Sequence, residues 1–150
     1  MTPRQIELVQ NSFNRLLLNL ESAAMAFYDR LFQLDPILRH MFRGPQDEQA
    51  RKLGHVLKVV VNGLSQPQQI LRAVEELGRR HLTYGVQQGH YVTVGAALFS
   101  TLQTGLGDAF TLEVQEAWTC AYLFLSSIMQ RAAANAETIS ASCMPSPRQS

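Results

Sequence analysis

Apolar residues recur at helical spacing along most of the chain, and this periodicity constrains the fold more than any other feature. The long alternation of apolar and polar residues that is typical of strands is absent. Two of the helical stripes near the amino terminus are Ile6, Val9, Phe13 and Leu17, then Ala24, Phe27, Leu31 and Leu34. The pattern therefore predicts an all-α protein.

Local capping and breaking signals divide this pattern into about seven helices, some of them short. The expected signals are a start at Thr2-Pro3, a break at Asp35-Pro36, a corner at Gly44-Pro45, a left-handed stop at Gly63, a cap at Ser65 and a cap at Thr111. The last helix is expected to end at about Ala134. We predict one domain over residues 1–134 and a flexible, disordered tail over 135–150, which is rich in serine and small residues.

Composition narrows the classes of function. The chain has 150 residues, a formal net charge of +1 and 46% hydrophobic residues, which suits one ordinary globular domain. The charge gives no reason to expect nucleic acid or a membrane as partner. The start of the chain lacks an apolar signal segment, so a cytoplasmic location is the expectation. Cys120 is expected to be buried and Cys143 exposed, without a metal-binding spacing.

His81 is the residue with the most specific chemical potential. It shares an apolar helix face with Ile70, Val74 and Leu77, in a segment that ends at Gly85. A neutral imidazole in such a place can bind the metal of a flat metallocofactor. A histidine that is merely packed in the core is the alternative interpretation of the same pattern. His40, His55 and His90 are poorer candidates, because they lie near a corner, off the apolar face, and at a helix start, respectively.

The order of several short motifs resembles the globin family over residues 3 to about 134. The similarity is to bacterial single-domain haemoglobins, the globin half of flavohaemoglobins, and neuroglobin. The motifs are Phe27-Tyr28-Asp29-Arg30-Leu31-Phe32, Pro36 with Phe42, Leu77-Gly78-Arg79-Arg80-His81, Tyr84-Gly85-Val86, His90-Tyr91-Val92-Thr93-Val94-Gly95, Leu106-Gly107-Asp108-Ala109-Phe110-Thr111 and Ala117-Trp118-Thr119-Cys120-Ala121-Tyr122. The resemblance implies a three-over-three helical sandwich around haem b, with His81 as the proximal iron ligand.

On the opposite, distal side of the haem, the resemblance implies that Tyr28 and Gln49 donate hydrogen bonds to bound dioxygen. Leu53 would cover the distal face and Phe42 would stack on the porphyrin. The alternatives are a core tyrosine at Tyr28 and a glutamine at Gln49 that turns out to solvent. Phe27 points about 100° away from Tyr28 on an ideal helix, so only one of these two aromatic rings is expected to face the iron.

The remaining cofactor contacts follow from the same resemblance. Tyr91 would form a hydrogen bond with the proximal imidazole, or else pack with its hydroxyl on a backbone carbonyl. A position where flavohaemoglobins carry a glutamate is Ala133 here, which argues against peroxidase-like chemistry. Further expected contacts are Leu77 and Val86 beneath the ring and Val94 and Leu98 at its wall. Lys52 and Arg80 are expected to pair with the haem propionates, and the alternative for each is a solvated surface charge.

Three functions are compatible with such a site. The first is reversible, high-affinity binding of dioxygen and of other diatomic gases, including nitric oxide and carbon monoxide. The second, enzymatic, is oxidation of nitric oxide to nitrate by a nitric oxide dioxygenase that works with a separate reductase. A haem-based redox or gas sensor ranks third. A monomer or weak dimer is expected in each case.

Overall fold

Six α-helices and three short 3-10 segments make up the part of the chain that the structure describes. The computed structural model describes the backbone of residues 1–143 and the side chains of residues 1–137. The helices are α1 (Pro3–Leu16), α2 (Leu20–Leu34), α3 (Gln46–Gly63), α4 (Pro67–Thr83), α5 (Gln88–Leu106) and α6 (Leu112–Cys143); the 3-10 segments are Leu17–Asn19, Pro36–Met41 and Gly107–Ala109. Over residues 1–143 there is no strand, and the all-α prediction is confirmed.

Residues at three of the predicted helix boundaries act as caps. The Thr2 hydroxyl accepts from the Gln5 backbone N–H at 3.1 Å, and the Gln5 side chain accepts from the Thr2 N–H in return. Asp35 accepts from the N–H of Ile37 at 3.3 Å and starts the second 3-10 segment. The Thr111 hydroxyl accepts from the N–H of Val114 at 3.3 Å and starts α6. Short-range polar groups therefore fix where these elements begin.

Two predicted signals at the end of α3 act differently. Gly63 lies inside the helix and is not among the glycines with positive φ in the described chain, so the predicted left-handed stop is wrong. Ser65 does not cap α4, whose N-cap is Gln66. Its hydroxyl is instead 2.8 Å from Nε2 of Gln10 on α1, which donates to it. The Ser65 side chain therefore forms a tertiary contact with α1 instead of the predicted helix cap.

Helix α6 continues past its expected end at about Ala134, as far as Cys143. Residues 135–143 include two alanines, and no glycine or proline occurs there before Pro145, so no helix-breaking residue ends the helix. The rest of the predicted tail, residues 144–150, lies outside the described residues, as does the side chain of Cys143.

The packing of the helices forms two main apolar clusters. One joins α1, α5 and α6 around Val9, Phe13, Leu102 and Trp118. The other joins α2 to α3 and α5 around aromatic residues of α2. Helix α4 packs on α6, where a Cβ on Gly78 would lie 2.2 Å from the Met129 carbonyl oxygen. The glycine is therefore required for the close approach of α4, which carries His81.

No helix within residues 1–143 combines the length and the apolar character needed to cross a membrane.

Candidate functional site

His81 lies in the last turn of α4 and is half-buried. Its Nδ1 atom is 2.6 Å from the carbonyl oxygen of Leu77, one turn earlier. A carbonyl can only accept, so Nδ1 carries the hydrogen and the lone pair of Nε2 is available. Desolvation by burial lowers the pKa of His81, and the bond to Leu77 opposes that shift in part. The ring is thus a neutral imidazole with Nε2 unprotonated.

Tyr91 on α5 stacks on His81 but does not hold it by a hydrogen bond. The two ring centroids are 6.5 Å apart and the planes differ by 27°. The expected hydrogen bond between Tyr91 and the imidazole is not formed, because Nδ1 bonds Leu77 instead. Burial raises the pKa of Tyr91, so its hydroxyl remains protonated at neutral pH. The structure therefore brings Tyr91 to the histidine through ring contact alone.

Tyr28 on α2 lies in the aromatic cluster, with only 6% of its surface exposed. Its ring is 5.2 Å from that of Phe27, 6.0 Å from that of Phe32 and 5.3 Å from that of Phe42. Burial raises the pKa of Tyr28 to about 12, so the hydroxyl is a neutral donor. Within residues 1–137, no side chain or backbone group forms a hydrogen bond with that hydroxyl. Its hydrogen is available to a ligand.

Gln49 lines the same small cavity as Tyr28, which has a volume of about 70 Å³. The Gln49 amide nitrogen donates to the carbonyl oxygen of Arg43 at 2.6 Å. The predicted pair thus meets at one cavity, and the Gln49 amide is engaged by the Arg43 carbonyl. The amide nitrogen carries two hydrogens, and the bond to Arg43 engages one of them.

The predicted apolar contacts fall into two groups. Phe42, Leu53, Val94 and Leu98 are partly buried and pack against the cluster that contains Tyr28. Leu77 and Val86 are also half-buried, but they lie outside the apolar clusters of the described chain. Large side chains left half-covered on neighbouring elements are what a flat apolar ligand needs.

The two predicted cations differ in their surroundings. Lys52 is exposed and takes part in none of the ion pairs formed by residues 1–137. Arg80 is exposed as well, and its Nε is 3.5 Å from a carboxylate oxygen of Glu76. Lys52 is therefore the freer of the two for an anionic group at the rim.

The other histidines have the surroundings expected of them. His40 and His55 are exposed. His90 accepts from the backbone N–H of Gln87 at 2.9 Å and so caps the start of α5. Ala133 is half-buried on α6 and offers no carboxylate.

Sequence reasoning missed Arg39 and Gln46, which line the cavity beside Tyr28 and Gln49. The Arg39 guanidinium lies over the Phe32 ring, 4.7 Å from its centroid. The Gln46 amide nitrogen donates to Asp29 at 2.8 Å. Arg39 is charged and lies in a short 3-10 segment, where no periodic sequence pattern indicates which side chains face the interior. The sequence therefore does not predict its position at the cavity.

A family model described as Globin matches residues 25–129. The chain belongs to the globin family. It is 34% identical to a flavohemoprotein of Vibrio cholerae over 116 residues, which are 73% of this chain but 29% of that protein. A flavohemoprotein of Bacillus subtilis is 30% identical over 79% of this chain and 31% of its own length. The chain thus spans about a third or less of these relatives.

Solved structures show the same fold. An engineered carbene transferase of Rhodothermus marinus, also named as a candidate nitric oxide dioxygenase, has a TM-score of 0.84 at 25% identity and covers 94% of this chain and 99% of its own. A bacterial globin of Campylobacter jejuni has a TM-score of 0.80 at 21% identity, over 91% of this chain and 99% of that one. The globin fold is therefore confirmed, and family membership supports haem as the cofactor.

Proposed function

We propose that this globin domain holds haem b through Nε2 of His81 and binds dioxygen and other diatomic gases reversibly. The observation that carries the proposal is the bond from Nδ1 of His81 to the Leu77 carbonyl. It fixes the tautomer and the ring orientation, and it increases the basicity of the free nitrogen. Bound haem would supply an iron centre with one coordination position open to a small ligand.

The distal residues give the domain its selectivity in this proposal. The Tyr28 hydroxyl lacks a protein partner within residues 1–137, and its high pKa keeps it protonated. It would donate to a ligand that gains negative charge on binding, as dioxygen does. One such bond contributes about 1–3 kcal/mol. Gln49 would add a second donor, either through its second amide N–H or by exchanging its bond with Arg43 for one with the ligand.

The remaining residues would enclose the cofactor. We propose that Phe42 stacks on the porphyrin, that Leu53 covers the distal face, and that Lys52 pairs with a propionate. The other proposed contacts are Leu77, Val86, Tyr91, Val94, Leu98 and Arg80. Arg80 would exchange Glu76 for a propionate, at a solvated rim where such a pair is worth about 0–1 kcal/mol.

Oxygen titration of the reduced protein tests this function. We expect a saturable change in the visible spectrum that is reversed when oxygen is removed. The reason is that Tyr28 would hold dioxygen by a hydrogen bond, which does not change the oxidation state of the metal. Immediate and irreversible conversion to the ferric form in every cycle would contradict reversible binding.

A nitric oxide dioxygenase activity with a separate reductase is the second candidate. The observation in its favour is that the matched relatives are flavohemoproteins and that one structural neighbour is named as a candidate nitric oxide dioxygenase. Single-turnover mixing with nitric oxide does not discriminate, since most oxygenated globins react. Sustained consumption of nitric oxide over many turnovers, in the presence of a reductase and its electron donor, would support the enzyme. Consumption that stops after one equivalent would contradict it.

A further inference from the structure

The carboxyl-terminal end of α4, where His81 lies, is poorly covered by the rest of the protein. His81 itself is half-buried, but from Thr83 to Gly89 every residue except Val86 is exposed. Side-chain packing therefore does little to hold this segment. The last carbonyls of a helix also lack partners inside the helix, so the final turn frays unless other groups bind them. The position of His81 thus depends on the backbone hydrogen bonds that close this helix end.

Two backbone hydrogen bonds close the end of α4, and one of them uses the carbonyl of His81. The Val86 N–H donates to this carbonyl at 2.9 Å, and the Gly85 N–H donates to the carbonyl of Leu82 at 3.0 Å. Together these bonds form a Schellman motif, which favours a left-handed residue at the position of Gly85. Gly85 has a φ of +88° and adopts this conformation. The turn at Gly85 therefore supplies the partner of the His81 carbonyl.

Gly85 is needed for its backbone conformation and not for space. A Cβ on this residue would meet no atom of the described chain within 4 Å beyond its own sequence neighbours. A left-handed φ is unfavourable for alanine, and it is less so for asparagine, whose short polar side chain can form local hydrogen bonds there. A substitution at Gly85 therefore alters the turn without introducing a clash.

The same turn leads directly into α5. A single residue separates Val86 from the start of α5 at Gln88. The direction in which the chain leaves the turn therefore determines where α5 begins and where Tyr91 lies. The Tyr91 ring stacks on the His81 ring with 6.5 Å between centroids, and Nδ1 of His81 is 2.6 Å from the Leu77 carbonyl oxygen. The turn thus influences both the backbone that carries the imidazole and the ring that packs on it.

We propose that Gly85 is a positioning residue for the proximal histidine. Its left-handed turn holds the His81 carbonyl and sets the start of α5, so the imidazole keeps Nδ1 on the Leu77 carbonyl and Nε2 free. Gly85 has no side chain to offer a ligand, and it acts only through His81. This role rests on the proposed function, in which Nε2 of His81 binds haem iron, but the fixed orientation of the ring is a property of the chain itself.

Nitrogen-15 NMR of the histidine rings tests this role directly, because it shows which ring nitrogen carries the hydrogen. The sample is the full, haem-free chain at about pH 8, where a histidine of ordinary pKa is neutral. In the wild type we expect His81 to carry its hydrogen on Nδ1. In Gly85→Ala the ratio of this tautomer to the other should fall about tenfold, because a left-handed backbone is unfavourable for alanine by about that factor.

Gly107→Ala is the matched control. Gly107 follows the end of α5 with a φ of +55°, and a Cβ there would likewise meet no described atom within 4 Å. The two alanine variants should therefore lose similar stability in urea, but Gly107→Ala should change the His81 tautomer ratio less than about twofold. Equal changes of that ratio in both variants, or an unchanged ratio in Gly85→Ala, would overturn the proposal.

A milder substitution keeps the test decisive if Gly85→Ala does not fold. Gly85→Asn should lower the tautomer ratio by about twofold to threefold, since asparagine adopts the left-handed conformation more readily than alanine. A Gly85→Asn protein with the wild-type ratio would in that case contradict the positioning role.

The haem-loaded protein gives a second readout. Resonance Raman spectra of the unliganded ferrous form show the stretching band of the iron–imidazole bond. We expect Gly85→Ala to lower the frequency of this band, because a weaker bond from Nδ1 to the Leu77 carbonyl makes Nε2 less basic. Gly107→Ala should keep the wild-type frequency. A wild-type band in Gly85→Ala would overturn the positioning role.

This role and the proposed function fail separately. A chain that takes up no haem contradicts the function, and the ring NMR of that chain still tests Gly85. A protein that takes up haem but keeps the wild-type tautomer ratio in Gly85→Ala overturns the role of Gly85 alone.

Discussion

At the scale of a single residue, the buried side chain of Tyr28 is expected to slow the dissociation of bound oxygen. Its hydroxyl has no hydrogen-bond partner among the described residues, so removing it leaves no buried group unsatisfied. We expect Tyr28→Phe to speed dissociation of oxygen by about tenfold or more, through the loss of one donor to a partly charged ligand. Stopped-flow displacement of oxygen by carbon monoxide measures this rate.

Tyr122→Phe is the matched control for that change. The Tyr122 hydroxyl donates to the backbone carbonyl of Tyr91 and does not line the cavity at Tyr28. Its loss should change the oxygen off-rate by less than about twofold. Equal rates in wild type and Tyr28→Phe would mean that Tyr28 does not reach the ligand.

The raised pKa of Tyr28 also has a consequence for stability at high pH. The phenol has a pKa of about 10 when unfolded and about 12 in the folded protein. Its neutral form contributes stability below pH 10, and this contribution is lost as pH rises toward 12, because only the unfolded chain then releases the proton. Denaturant unfolding between pH 9 and 12 should show a shallower loss of stability in Tyr28→Phe than in the wild type.

Tyr84→Phe, which alters an exposed tyrosine, is the reference for this comparison. It should leave the slope of stability against pH as in the wild type. A Tyr28→Phe slope equal to that of the reference would show that Tyr28 ionises as readily in the folded protein as in the unfolded chain.

Predictions for single residues succeeded where the interacting groups lie close together in the sequence. The caps at Thr2, Asp35 and Thr111 act within three residues of themselves, so their partners can be read from the sequence. The partners of Tyr91 and Gln49 could not be predicted, because they depend on how side chains meet after the helices have packed. The Leu77 carbonyl, one turn before His81, bonds the imidazole that Tyr91 was expected to bond. The spacing of these residues along the chain does not show which of the two partners the imidazole takes.

At the scale of elements, the crossing of α4 and α6 depends on Gly78. An added Cβ would lie 2.2 Å from the Met129 carbonyl oxygen and 2.6 Å from its Cα, both of them backbone atoms that cannot turn aside. We expect Gly78→Ala to lower the free energy of unfolding by about 1–3 kcal/mol or more, through overpacking. Urea denaturation measures the loss.

Gly89→Ala is the control for this crossing. It lies in the first turn of α5, and a Cβ there would meet no atom within 4 Å. The change should be neutral or stabilising by up to about 1 kcal/mol, since alanine is the better helix former. Similar losses of stability in both variants would contradict the importance of the close approach at Gly78.

Helix ends show where sequence reasoning fails at this scale. A glycine at position 63 predicts a stop, but α3 includes it, and a Cβ there would lie 2.1 Å from the Ile70 side chain. The glycine is needed for contact between helices and not for a left-handed turn. Helix α6 has no breaker before Pro145, and the expected end at about Ala134 depends only on the polar, serine-rich composition of residues 135–150.

For the whole molecule, the periodicity of apolar residues and the order of weak motifs were sufficient to predict the globin fold. That fold is a property of many positions, so errors at single residues do not alter it. Arg39 lines the cavity beside Tyr28, and its position over Phe32 results from packing that no sequence pattern encodes. The fold was therefore more predictable than the site.

Haem uptake through His81 is the central claim, and an absorption spectrum of the purified chain, expressed with iron, measures it most directly. We expect an intense Soret band in the wild type, its loss in His81→Ala, and its return when free imidazole is added to that variant. The control His55→Ala, which alters an exposed histidine, should keep the band. A His81→Ala protein with the wild-type spectrum, or a wild type without a Soret band, would contradict haem binding through this residue.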